Sequence, residues 1–118
     1  MHVQVQVKGL PESAKLRRFA ARKLEGALAR FAHVVRGASM RLDDINGPQR
    51  GGVDKLCRVV LRLKDDSVLV VEELGADIAE AINRVSERLQ QNVARQLAHL
   101  VQVDRSGLRR NMAVLATA

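Results

Sequence analysis

The chain has 118 residues, enough for one domain with a core of its own. Its net charge is +7, it lacks Trp and Tyr, and Phe19 and Phe31 are its only aromatic residues besides histidine. That composition excludes recognition through a row of base-stacking aromatics and points to a polyanionic partner. The lone Cys57 excludes an intramolecular disulfide and fits a reducing compartment.

The charge is lopsided. Residues 1–42 carry nine Lys/Arg against two Glu, a net +7, whereas residues 43–103 carry eight against ten, a net −2. The last fifteen residues add +2. The positive field therefore belongs to the N-terminal third.

In chain order, the opening Met-His-Val-Gln-Val-Gln-Val alternates and lacks the apolar block of a secretion signal. No apolar run is long enough to cross a membrane, so a soluble, cytoplasmic protein is expected. Val3, Val5 and Val7 predict a strand with one buried face. Gly9-Leu10-Pro11-Glu12 ends it, with Pro11 and Glu12 suited to a helix's first turn. The following helix is expected to run to about Phe31, with Leu16, Ala20, Leu24, Ala27, Leu28 and Phe31 as its core stripe. Lys15, Arg18 and Arg22 fall on the opposite side, and Lys23 and Arg30 on one edge of the stripe. Gly26 costs this helix about 1 kcal/mol relative to alanine; close approach of a partner would explain that cost, but loose tolerance is the expected reading.

Period two returns from Val34 to Asp43, with Ala38, Met40 and Leu42 on one face and Ser39 and Arg41 on the other. Asp44 to Asp54 contains Pro48 and several glycines and reads as a loop. Leu56 to Leu63 predicts a third strand, with Cys57, Val59, Leu61 and Leu63 inward and Arg58 and Arg62 outward. Lys64-Asp65-Asp66-Ser67 turns into a fourth strand, Val68 to Glu72. The last helix runs from Ala76 to Val101, opened by a capping box of Asp77 and Glu80. Ile78, Ile82, Val85, Leu89, Val93, Leu97 and Leu100 make its apolar stripe. Arg84, Arg88, Gln91, Arg95 and His99 form a second stripe, centred about a third of a turn away.

Strand, helix, three strands, helix is an α+β order, β-α-β-β-β-α. It predicts a four-stranded mixed sheet with both helices packed on one face. Residues 1–103 form the domain, and 104–118 are expected to be a flexible tail. The uncovered sheet face then carries Gln4, Gln6, Ser39, Arg41, Arg58 and Arg62.

Catalysis has no support in the residues. His2, His33 and His99 lack ligand spacing and read as surface residues. Cys57 sits mid-strand facing inward, as a small core residue does. Asp43, Asp44 and Asp54 lack the alternating ligands of a calcium loop and are expected to solubilise a hairpin. No phosphate-binding glycine loop or nucleophile triad is present, so no metal, cofactor or enzymatic activity is expected. The first helix needs its apolar stripe for the sheet, which argues against a membrane role. Nucleic-acid binding remains. Arginine-rich, aromatic-poor surfaces hold phosphates and respond to shape, which favours structured RNA over DNA.

Lys23-Leu24, Arg30-Phe31 and Asp77-x-x-x-Ala81-Ile82-Asn83, in this order of elements, resemble the ribosome hibernation promoting factor family, also called protein Y or ribosome-associated inhibitor. Asn46-Gly47 through Gly51-Gly52, then Asp54-Lys55 and Cys57-Arg58, resemble a subgroup of its short bacterial members. The likeness spans roughly residues 1–100. It implies a double-stranded-RNA-binding-like fold and attachment to the small ribosomal subunit, in the channel used by messenger and transfer RNA. Translation would be blocked there and idle ribosomes preserved, as in stationary phase or stress. Lys23, Arg30 and Arg88 match the family's basic positions and are implied to face ribosomal RNA. The helical-face argument adds Arg22, Arg84 and Arg95, and the wider candidate surface includes Lys15, Arg18, Arg41, Arg58 and Arg62. Many members continue the last helix with Arg-Gln where this chain has Gln91-Asn92, a departure that bears on the strength of phosphate contact at mid-helix. Without a second, dimerising domain the chain is expected to be a monomer that does not pair ribosomes by itself. The alternative reading is a module for other structured RNA.

Overall fold

The computed structural model describes residues 2–45 and 52–117, with side chains described through residue 98. The loop glycines Gly47 and Gly51, and the side chains of His99 and Leu100, lie outside that set. The elements are β1 (His2–Lys8), α1 (Ser13–Leu28) with a 3₁₀ turn over Ala29–Phe31, β2 (Val35–Asp44), β3 (Lys55–Leu63), β4 (Val68–Gly75) and α2 (Ile78–Thr117). The strands lie in the order β1-β2-β3-β4. β1 pairs with β2 in parallel, and the two later pairings are antiparallel. This is the mixed sheet and element order expected from the periodicities.

Alternation decides what each strand buries. Ala38, Met40 and Leu42 of β2, Cys57, Val59, Leu61 and Leu63 of β3, and Val71 of β4 point to the covered face. There they meet Ala20, Leu24, Leu28 and Phe31 from the first helix and Ala81, Ile82, Val85, Leu89 and Val93 from the second, in one core. Val3, Val5, Val7 and Leu16 are only half-buried, because they lie at the edge of that core. Cys57 is fully enclosed, and burial pushes its thiol up to about 12. It is an inert packing residue.

The elements depart from the expected ones in several places. Glu12 does not enter the first turn of α1. It stands one residue before the helix with φ 52°, and its carbonyl accepts the Leu16 N–H at 2.9 Å. The β2 pairing shifts register between Val35 and Gly37, where a Cβ on Gly37 would lie 3.2 Å from the His2 carbonyl oxygen. β4 continues three residues past Glu72, because Glu73 and Leu74 still pair with Cys57 and Leu56. α2 continues beyond Val101 to Thr117, through Gly107. That stretch has no proline, and one glycine costs a helix only about 1 kcal/mol, too little to stop it. The capping box is half present. Asp77 accepts the Ala79 N–H at 3.0 Å, while Glu80 pairs with Arg84.

The acids of the β2–β3 hairpin require a correction. Asp44 and Asp54 are buried and do not solubilise the loop. Lys55 Nζ bridges them, 2.8 Å from Asp54 Oδ1 and 3.1 Å from Asp44 Oδ2. Asp44 Oδ1 and Asp54 Oδ2 have no hydrogen-bond partner among the described residues. A single ammonium thus closes the neck of the loop by holding two desolvated carboxylates. Sequence alone cannot separate this from a surface hairpin, since Asp-Asp and Asp-Lys are ordinary loop residues.

The clasp makes a pH prediction. The hydrogen bond to Asp54 raises the Lys55 pKa above 10.5 against the opposing effect of burial, and Asp44 adds to the rise. The folded state therefore holds this proton more tightly than the unfolded chain does. The resulting stability is fully present below pH 10.5 and is lost as pH rises through the higher folded value. The buried Cys57 thiol, whose pKa is also raised, loses stability over the same range with or without Lys55, so the difference between the native chain and a Lys55 variant reports the clasp. Denaturant unfolding across the alkaline range should show this loss in the native chain and a flatter profile in Lys55→Met. Parallel profiles would contradict the clasp.

Candidate nucleic-acid interface

The first helix carries its cations as an unneutralised row. Lys15, Arg18 and Arg22 stand three and four residues apart on its exposed side, with Lys23 and Arg30 on the flank. Among the described residues none of these five has an ion-pair partner within 4.0 Å. Two are held in place by the chain's only phenylalanines. Lys23 Nζ lies 5.9 Å from the centre of the Phe19 ring, and the Arg30 guanidinium 4.8 Å from that of Phe31. A cation over an aromatic face gains about 0.5–1 kcal/mol at exposed sites and loses rotamer freedom in advance. Phe31 is buried, so it ties Arg30 directly to the core.

The second helix carries its arginines differently. Arg84 pairs with Glu80 and reaches the Leu74 carbonyl oxygen at 3.4 Å. Arg88 donates to Glu73 Oε1 at 2.6 Å and to the Glu72 carbonyl oxygen at 3.0 Å. These two side chains fold against the β4 edge instead of projecting as a free row. Arg95 is exposed and has no acid partner among the described residues. Gln91 is exposed beside it and supplies no charge.

On the uncovered sheet face Gln4, Gln6, Ser39, Arg41, Arg58 and Arg62 are all exposed, as expected from alternation. Two of its cations are partly neutralised. Arg41 pairs with Asp43 at 3.2 Å, and Arg58 with Glu72 at 3.3 Å. The face also bears Val68, Val70 and Leu74, which are exposed and interrupt its polarity.

Arg22 and Lys23 converge with Asn83, Ser86, Glu87 and Gln90 on a groove of about 480 Å³ between the two helices. Gly26 forms part of its wall, with nothing within 4 Å of where a Cβ would lie. Gly26→Ala is therefore expected to stabilise the protein by about 1 kcal/mol through helix propensity, measured by chemical denaturation. A loss of stability would show that the glycine answers an internal packing need. The groove can offer its two cations to phosphate, with Glu87 of α2 offsetting part of their charge, and its amides to sugar or base edges. The Ser86 hydroxyl already donates to the Ile82 carbonyl oxygen at 2.9 Å.

The structure thus brings together Arg22, Lys23 and the polar face of α2, and sets Arg84, Arg88, Arg41 and Arg58 apart as internally engaged. It adds two cations absent from the sequence-derived set, Lys8 and Arg17, both exposed near β1. Only the fold places Arg17 beside a strand. No group of three His, Cys, Asp or Glu suited to a metal occurs among the described residues. No helix searched is long and apolar enough to cross a membrane.

Two solved structures share this architecture. The N-terminal domain of Thermus thermophilus protein Y superposes with a TM-score of 0.64 at 22% identity, covering 80% of this chain and 98% of that one. A ribosomal subunit interface protein from Coxiella burnetii superposes with a TM-score of 0.65 at 16% identity, covering 83% of this chain and 99% of that one. At such identities the likeness establishes the fold. No curated protein matches the chain. The family profile described as sigma 54 modulation protein / S30EA ribosomal protein matches residues 3–100. With that match covering residues 3–100 of the 118, the chain belongs to this family, the family of the ribosome hibernation promoting factors.

Proposed function

We propose that the protein is a ribosome-binding hibernation factor of the cytoplasm. It occupies the messenger- and transfer-RNA channel of the small subunit and inhibits translation while preserving idle ribosomes in stress or stationary phase. The observation that carries this reading is the unneutralised cation row of α1 beside the α1–α2 groove, on a domain of this family. Lys15, Arg18, Arg22, Lys23 and Arg30 hold phosphates of ribosomal RNA, with Arg95 extending the contact along α2. Arg84 and Arg88 contribute second, since each must leave or share an acid partner to reach a phosphate. Such a surface recognises the shape of folded RNA and needs neither cofactor nor catalytic group. One protomer suffices for it.

Sucrose-gradient sedimentation of stationary-phase lysate tests the proposal. The protein should travel with small subunits and intact ribosomes at low salt and leave them as salt rises. Absence from ribosomal fractions at low salt would overturn the ribosomal reading. Binding to other folded RNA in that case would point to an RNA module with a different target.

A further inference from the structure

The sheet has two edges, and they are finished differently. Unpaired edge strands invite pairing with another chain, and folded proteins usually cover or blunt them. The Glu72–Leu74 end of the β4 edge is capped by Arg84 and Arg88, whose guanidinium groups reach the carbonyl oxygens of Leu74 and Glu72. No described residue does the same for β1. It is outermost in the sheet, pairs only with β2, and keeps an unbroken register from His2↔Gly37 to Lys8↔Asp43. It has no proline, no acidic residue and no bulge. In a parallel pair every second residue turns its N–H and C=O away from the partner strand. A seven-residue β1 thus leaves an open, regular edge.

The rim of that edge is cationic. A hollow of about 480 Å³ runs along Val5, Gln6 and Val7 and is bounded by Lys8, Arg17 and Arg41. Lys8 and Arg17 have no ion-pair partner among the described residues, and no carboxylate lines the hollow. Arg41 pairs with Asp43, yet its side chain remains 52% exposed. Arg17 belongs to the helix that covers one face of the sheet, and Arg41 points from the opposite face. A strand added beside β1 would present successive side chains alternately to these two arginines.

We propose that the β1 edge is a docking site for an extended acidic segment of another protein, which adds to the sheet as a fifth strand. Main-chain hydrogen bonds supply the attachment, and Lys8, Arg17 and Arg41 select acidic side chains on both faces. RNA fits this edge less well. Its 2′-hydroxyl and base donors do not repeat at strand spacing, whereas a peptide strand sets an N–H and a C=O against the outward groups of β1 at every second residue. This site lies apart from the α1–α2 groove and stands or falls independently of the ribosomal reading.

The test uses the full chain and the blocked hexapeptide acetyl-Glu-Val-Glu-Glu-Val-Glu-amide, followed by NMR. Binding should slow amide hydrogen exchange at alternate residues of β1 by about tenfold or more and leave β4 unchanged. The exposed charge reversals Lys8→Glu and Arg17→Glu together should weaken binding by about tenfold with an unaltered circular dichroism spectrum. Peptide-induced shifts confined to α1, without protection in β1, would overturn the proposal. So would equal protection of β1 by an oligouridylate of the same charge, which would make the edge an RNA contact.

Discussion

Replacing Arg22, Lys23 and Arg30 together by alanine is expected to lower ribosome affinity and reduce the salt slope of binding by about 2 to 3. Each cation that neutralises a phosphate releases condensed counterions, and removing it removes that share of the salt dependence. The expected loss is large because these side chains have no acid partner among the described residues and so surrender no internal ion pair on binding. Lys23 and Arg30 are also held over Phe19 and Phe31, which reduces the entropy lost when a phosphate arrives. Arg84→Ala with Arg88→Ala should reduce the slope less, because Glu80 and Glu73 already take part of their charge. Filter binding or sedimentation over a salt series distinguishes the two variants. An unchanged slope in the α1 triple variant would show that this row does not touch RNA.

Leu89→Ala is expected to destabilise the protein by about 2–5 kcal/mol, the range for a buried leucine truncated in a core that cannot collapse around the void. Leu89 is 1% exposed and lies mid-way along the apolar stripe of α2, with Val85 and Val93 buried one turn to either side. Both of those neighbours are β-branched and stiff, so they relax little toward the missing side chain. The α2 stripe also packs on β3 and β4, whose inward residues Val59, Leu61 and Val71 are themselves fully enclosed or nearly so. Urea unfolding reads the change directly. A cost under about 1 kcal/mol would mean that α2 rests on the sheet more loosely than its burial indicates.

Much of the fold was legible because its elements are amphipathic. The valines of β1, the alternation of β2 and β3 and the three-four spacing of both helices each name a buried face, and those faces close on one core. Legibility ended where local chemistry does not determine burial. Asp44, Asp54 and Lys55 look like a polar hairpin, and only the folded chain shows two carboxylates enclosed around one ammonium. The end of α2 was missed because Gly107 resembles a stop signal, and no cap follows it in sequence to decide the matter. The basic surface was legible as residues but not as a balance of charges. Arg84 and Arg88 share a stripe with Arg95. The Glu80 that pairs with Arg84 lies one turn earlier on the same helix, but Glu73 and the Glu72 carbonyl that hold Arg88 come from a strand far back in the chain. Conversely, Arg17 lies beside β1 at an open edge because β1 is the outermost strand, a placement that the helix pattern alone does not give.

We propose that α1 and the α1–α2 groove seat this domain in the messenger- and transfer-RNA channel of the small subunit. Chemical probing of small-subunit ribosomal RNA, with and without saturating protein, tests it most directly. Protection along the walls of that channel, abolished in the Arg22, Lys23 and Arg30 alanine variant, is the predicted result. Protection confined to other surfaces of the subunit, or surviving in the triple variant, would contradict the account.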